Sequence, residues 1–144
     1  MQRILHISKY YYPFSGGTEQ IARDCVQALR NDYEEKVIAF NDGKEDVVDI
    51  IDGVEVIKCG CFAKISSQSL SRSYAQRLKK VMDEFKPDII IFHYPNPFVT
   101  ALLLPIIPRS TKLYVQWHLD ITKQKKILYR GMARIIYKKE KIKM

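Results

Sequence analysis

This sequence is poor in the features that usually assign a protein at sight. Its 144 residues include three cysteines, Cys25, Cys59 and Cys61. The number is odd, and Cys-Gly-Cys lacks the Cys-x-x-Cys spacing of a zinc or redox site. No metal centre is therefore expected, and a reducing cytoplasm is the expected setting. The dinucleotide fingerprint Gly-x-Gly-x-x-Gly is absent, and so is a P-loop, which sets aside an NAD or ATP site of the usual kind. No leader-like segment opens the chain: Met1-Gln2-Arg3 runs directly into a strand-like stretch, so a signal peptide is not expected. Ile89 to Pro108 carries no formal charge over twenty residues, about the length of a membrane span. His93, Asn96 and four prolines interrupt it, and prolines break a spanning helix. It reads as a strand, a loop and a short buried helix.

Charge of one sign is in excess, but only in one place. The chain carries 24 Lys+Arg against 16 Asp+Glu, a formal charge of +8. Lys123, Lys125, Lys126, Arg130, Arg134, Lys138, Lys139, Lys141 and Lys143 face a single anion, Glu140, so residues 123–144 hold the whole excess. Residues 1–122 are balanced. The basic tail reads either as the solvated face of an ordinary helix or as an electrostatic anchor to anionic lipid. In the second case Leu128, Met132 and Ile136 dip toward the interface. Nucleic acid is not an expected partner, because no recognition motif accompanies the cations.

What the sequence does contain is an alternation of strand-like and helix-like segments. Arg3–Ser8 reads as a buried first strand. Gly16-Gly17 marks a turn, and from Thr18 a helical period sets in, with Ile21, Cys25 and Leu29 on one face and Ala22 and Val26 beside them. Lys36–Phe40 and Val54–Lys58 read as strands, Asn41 to Gly53 as an acidic loop, and Cys59 to Ser71 as a serine-rich loop. Arg72–Phe85 has helical spacing with Tyr74, Leu78, Val81, Met82 and Phe85 aligned. Lys86-Pro87-Asp88 stops it before the strand Ile89–Phe92. A helix near Phe98–Leu104, a strand at Lys112–Trp117 and a basic amphipathic helix complete the chain. This order predicts an α/β fold with a doubly wound, mainly parallel, Rossmann-like sheet. Ligands of such sheets bind at the carboxyl ends of the strands, where strand order reverses. Three segments should meet there: Lys9–Gly17, His93–Phe98 and His118–Asp120.

Glycines ahead of a helix let backbone amides approach a phosphate, and the helix amino terminus adds partial positive charge. The plainer reading of Gly16-Gly17 is a tight turn. His6 lies inside a strand and reads as a satisfied core residue, and His93 as a strand-end residue lining the cleft. Tyr10–Tyr12 either contact a ligand or pack beside the loop.

The segment Ile4-Leu5-His6-Ile7-Ser8-Lys9-Tyr10-Tyr11-Tyr12-Pro13-Phe14-Ser15-Gly16-Gly17-Thr18-Glu19 resembles the opening of family 4 glycosyltransferases, retaining enzymes of the GT-B class with two Rossmann domains. Lys86-Pro87-Asp88-Ile89-Ile90-Ile91-Phe92-His93 is similar to a strand of that family. Trp117-His118-Leu119-Asp120-Ile121-Thr122-Lys123-Gln124-Lys125 is similar to a segment of its mannosyl- and rhamnosyltransferase-like members. The resemblance implies that residues 1–144 form a single Rossmann-like acceptor-side domain. The donor-binding domain, with its Glu-x7-Glu motif, is not among them. It implies transfer of a sugar, mannose by the nearest likeness, from a nucleotide sugar such as GDP-mannose to a glycan or lipid-linked acceptor, with retention and without a cofactor. Surface-polysaccharide or glycolipid synthesis is the implied setting. His118 matches the histidine beside the donor sugar. Gly16 and Gly17 would face the donor diphosphate or the acceptor, with Tyr12, His93, Asp120 and Lys123 lining the same cleft. A cytoplasmic protein, in peripheral contact with the inner face of the membrane through residues 123–144, is expected. The 144-residue chain is expected to be inactive alone. The rival reading is a stand-alone Rossmann-like binding or regulatory module without catalysis.

Overall fold

The computed structural model describes residues 1–13, 17–65, 68–94 and 96–117. Six strands form one sheet: β1 (Arg3–Ile7), β2 (Glu34–Phe40), β3 (Val47–Ile51), β4 (Val54–Cys59), and, after a separate two-stranded hairpin of β5 (Ala63–Ile65) and β6 (Gln68–Leu70), β7 (Ile89–Tyr94) and β8 (Lys112–Trp117). Helices α1 (Gly17–Leu29), α2 (Tyr74–Phe85) and α3 (Pro97–Leu103) alternate with them. The sheet order is β3-β4-β2-β1-β7-β8, parallel throughout except for β3 on the edge. The expected doubly wound, mainly parallel architecture is what the chain adopts.

The central strands are buried on both faces, which is why they read as continuous apolar runs rather than alternating ones. Leu5, Ile7, Ile38, Phe40, Ile57, Ile90 and Phe92 point to one face. There they meet Tyr74, Leu78, Val81, Met82 and Phe85 of α2, together with Val99 and Leu103 of α3. The apolar stripe expected on α2 is the buried one, residue for residue. The helix ends at Lys86, in the left-handed region (φ 49°), directly before Pro87, which cannot continue it. Asp88 then ties the starts of three strands: its carboxylate accepts from Arg3 N at 2.9 Å, and its carbonyl accepts from Lys112 N at 2.9 Å. The charge-free stretch from Ile89 resolves into β7 and α3. Asn96 caps α3 by accepting from Val99 N, and Pro97 opens the helix.

The other face packs Val37, Ala39, Val54 and Val56 against Ala22 and Val26 of α1. Here the expected helix orientation is corrected. Ala22 and Val26 form the buried stripe, whereas Ile21 is 43% exposed and Cys25 and Leu29 are half-buried. Small side chains let the helix lie close to the sheet, so contact distance rather than hydrophobicity alone sets its rotation.

Two segments read as loops contain strands. Within the acidic stretch, Val47–Ile51 pairs antiparallel with β4 through a two-residue turn, Asp52-Gly53, whose φ values of 54° and 79° are both positive. That geometry is the hairpin turn Asp-Gly favours. Within the serine-rich stretch, β5 and β6 form a short hairpin closed by Phe62 N donating to Leu70 O at 3.0 Å. All three cysteines are free thiols. Burial pushes the Cys59 thiol up to about 12, the opposite of a reactive thiolate.

Candidate functional site

Strand order reverses between β1 and β7, so their carboxyl ends define the crevice where a ligand of this fold binds. The chain leaves β1 through a tight bend. Ser8 N donates to Ile38 O at 3.1 Å and its Oγ to Tyr10 O at 2.7 Å, while Phe40 N donates to Lys9 O at 2.9 Å. The three tyrosines that follow go in different directions. Tyr10 is buried in the α2-side cluster, with its hydroxyl 2.6 Å from Ser69 Oγ. Tyr11 is buried in the α1-side cluster, where desolvation, reinforced by Asp52, raises its phenol well above the usual value. Tyr12 is 45% exposed. Of the two readings of these rings, Tyr10 and Tyr11 pack, and Tyr12 is the one open to a ligand.

Tyr12 is also held. The Arg23 guanidinium of α1 lies 4.0 Å from its ring centroid, and Lys58 Nζ donates to its carbonyl at 2.8 Å. Arg23 is in turn fixed by a fork to Asp52, with Nε–Oδ2 at 2.9 Å and Nη2–Oδ1 at 3.2 Å. The hydrogen bond from Arg23 holds the Asp52 carboxyl below its ordinary value, aided by Gln27. Gly17 is the first residue of α1, the element that follows β1 in the chain, and a helix amino terminus carries partial positive charge.

Beneath this crevice, on the α1 side of the sheet, lies a row of buried ionisable groups. His6 Nε2 is 2.7 Å from Glu35 Oε1, with both side chains almost fully out of solvent. His93, 2% exposed, stacks beside His6 with ring centroids 6.3 Å apart and an interplanar angle of 19°. His6 is the core residue expected of it, with Nε2 paired to Glu35 and Nδ1 buried without a hydrogen-bond partner. His93 lies within β7 under the crevice rather than on its open surface. Glu35 was not anticipated; the signal for it is a carboxylate near the start of an otherwise buried strand, diagonal to a histidine on the same face of its neighbour.

A match to the family model described as Glycosyltransferase Family 4 runs from residue 15 to residue 140. The chain belongs to glycosyltransferase family 4. No curated protein sequence matches it. Tyr12, held by Arg23 of α1 and Lys58 of β4, lies on the α1 side of the sheet. Gly16, His118, Asp120, Lys123 and the basic stretch 123–144 lie outside the described residues. Among the described residues no group of three or more His, Cys, Asp or Glu side chains could hold a metal ion. Nor is any helix among them long and apolar enough to cross a membrane.

Among the described residues, two cavities flank the sheet. One, of about 400 Å³, lies at the amino ends of the strands and is lined by Met1, Arg30, Tyr33 and Gly53 among others. The other, of about 440 Å³, lies at the carboxyl end of β4 around Asp46, Gly60, Phe62 and Ser73. Only the second shares an edge with the crevice.

Proposed function

We infer that this family 4 domain is the acceptor-side half of a GT-B enzyme. The enzyme moves a sugar, with retention, from a nucleotide sugar to a glycan or lipid-linked acceptor. The observation that carries the reading is the family match over 15–140 laid on a mainly parallel sheet whose order reverses between β1 and β7. By the likeness of its motifs the sugar is mannose and the donor GDP-mannose. In that mechanism the acceptor hydroxyl attacks the anomeric carbon on the face from which the diphosphate departs. The leaving phosphate oxygen takes the hydroxyl proton, so no protein nucleophile is needed. His118, by its match, sits beside the donor sugar and supports developing positive charge with a hydrogen bond. The amides at Gly16-Gly17 face the diphosphate or the acceptor. Tyr12 offers an exposed ring to the acceptor, while Asp120 and Lys123 line the cleft. Most donor contacts come from a second Rossmann-like domain carrying Glu-x7-Glu, a motif these 144 residues do not contain. The basic stretch 123–144 suits peripheral attachment to an anionic membrane bearing a lipid-linked acceptor.

The test is a transfer and binding assay on the 144-residue chain. With GDP-mannose and a lipid-diphosphate-linked glycan it should transfer no mannose. Acceptor glycan should still move the backbone amide signals of Tyr12 and Gly17. Transfer by this chain alone, or tight GDP-mannose binding with no response to any acceptor, would overturn the acceptor-side assignment.

A further inference from the structure

The cavity at the carboxyl end of β4 lies two strand spacings from β1, roughly 10 Å, on the same edge of the sheet as the crevice. Its floor is rigid for identifiable reasons. A Cβ at Gly60 would overlap the Lys44 carbonyl, so only glycine lets the 41–46 segment seat against the end of β4. Asp46 gathers three donors from two places, the end of β4 and the start of α2: Gly60 N at 2.8 Å, Ser73 Oγ at 2.6 Å and Arg77 Nε at 3.1 Å. One wall carries Phe62, 50% exposed, with the Arg72 guanidinium 4.8 Å from its ring centroid. This wall is fastened to the crevice, because the β5–β6 hairpin beside Phe62 is pinned through Ser69 to Tyr10 of the post-β1 segment.

The chemistry of the lining selects its ligand. Lys44 and Arg72 are balanced by Glu45 and Asp46, so the cavity has no surplus charge. The amino terminus of α2, which would attract a phosphate, already has its anion: the Ser73 hydroxyl donates to the Asp46 carboxylate rather than capping the helix. An anionic ligand therefore gains little here. A half-exposed aromatic ring beside charged donors and acceptors of both kinds suits an uncharged, polyhydroxylated ring with one apolar face. We propose that this cavity is an acceptor-glycan subsite holding a neutral pyranose ring, its C–H face on Phe62 and its hydroxyls on Lys44, Glu45 and Arg72. The subsite rests on the glycosyltransferase reading and extends it outward from the reacting sugar, along the carboxyl edge.

The experiment is an amide NMR titration of the 144-residue chain with neutral trisaccharides of mannose, glucose and galactose, and separately with inorganic diphosphate. At least one trisaccharide should move the Gly60, Phe62 and Ser73 signals saturably, and diphosphate should leave them in place. Phe62→Ala and Arg72→Ala should each weaken that response about tenfold or more, and Phe62→Tyr should retain it. The unshifted remainder of each spectrum reports that the variant is folded. If a trisaccharide moves Tyr12 and Gly17 but not Gly60, Phe62 and Ser73, the subsite is refuted while the acceptor-side function stands. If no trisaccharide moves either group, both are refuted. Diphosphate shifts centred on Ser73 would overturn the subsite in favour of an anion site.

Discussion

The two faces of this sheet are built from alternate residues of the same strands, yet they are different kinds of interior. Under α2 and α3 the packing is almost wholly apolar, and its buried polar groups are uncharged, such as the Tyr10–Ser69 hydroxyl pair and the Asn96 cap of α3. Under α1 the same strands bury an ionisable row of Glu35, His6 and His93, and the helix above presents small residues, Ala22 and Val26. The contrast separates two jobs. One face holds the domain together through area removed from water; the other also buries polar side chains, at some cost to stability where they are not hydrogen-bonded.

That contrast can be broken or sharpened by substitution. The largest effect is expected on the apolar face. Leu78→Ala should lower stability by about 2–5 kcal/mol in urea denaturation, because the cavity cannot collapse among Tyr74, Phe85 and the strands. A loss as small as that of a surface substitution would mean α2 does not carry the core. On the α1 face, Glu35→Leu should cost about 1–3 kcal/mol by leaving His6 buried without its partner. The double variant His6→Leu with Glu35→Leu should recover part of that loss. If the two single losses simply add, the pair is not coupled and the row is not a unit.

The smallest effect concerns the rim, where the two faces give way to solvent. Burial pushes the Asp46 carboxyl up, but hydrogen bonds from Ser73, Gly60 and Arg77 outweigh it and hold the group below its ordinary value. A carboxyl lowered in the folded state stabilises fully above its unfolded value, about 3.9, and loses that contribution as pH falls through the folded value. Asp46→Asn should therefore cost about 1 kcal/mol at neutral pH and flatten the stability profile below about pH 4. An unchanged acid limb in urea midpoints measured from pH 6 down to pH 2 would remove Asp46 as the organiser of that rim.

Much of the architecture was legible before the structure. The α2 stripe is clean because its five apolar residues fall on one face of a 3.6-residue period with charged residues between them. The four inner strands were legible as short apolar runs between turn residues. The misreadings have specific causes. In α1 the larger residues, Ile21 and Leu29, outweighed Ala22 and Val26, although close approach to the sheet favours the smaller pair. The β3–β4 hairpin was hidden because its Asp52-Gly53 turn lies in an acid-rich stretch, even though apolar residues flank it on both sides. The β5–β6 hairpin has strands too short to leave a period, and its position depends on a contact with Tyr10 from far away in the chain. For the site, the motifs pointed to Gly17 and Tyr12 as crevice residues. They did not show that Tyr10 and Tyr11 turn inward.

By itself, the sequence determined the fold class, the alternation of strands and helices along the chain and the family, because these depend on local period and on residues close together in the chain. Tertiary structure alone decided which polar groups meet. Glu35 reaches His6 only because β1 and β2 pair in register, with His6 beside Val37 and Glu35 two residues earlier on the same face. Asp46 collects Gly60, Ser73 and Arg77 only because an antiparallel edge strand and a parallel crossover bring their ends to one corner. Hydrogen bonds need partners within about 3 Å, and no spacing along a chain sets such a distance until the sheet has set its register.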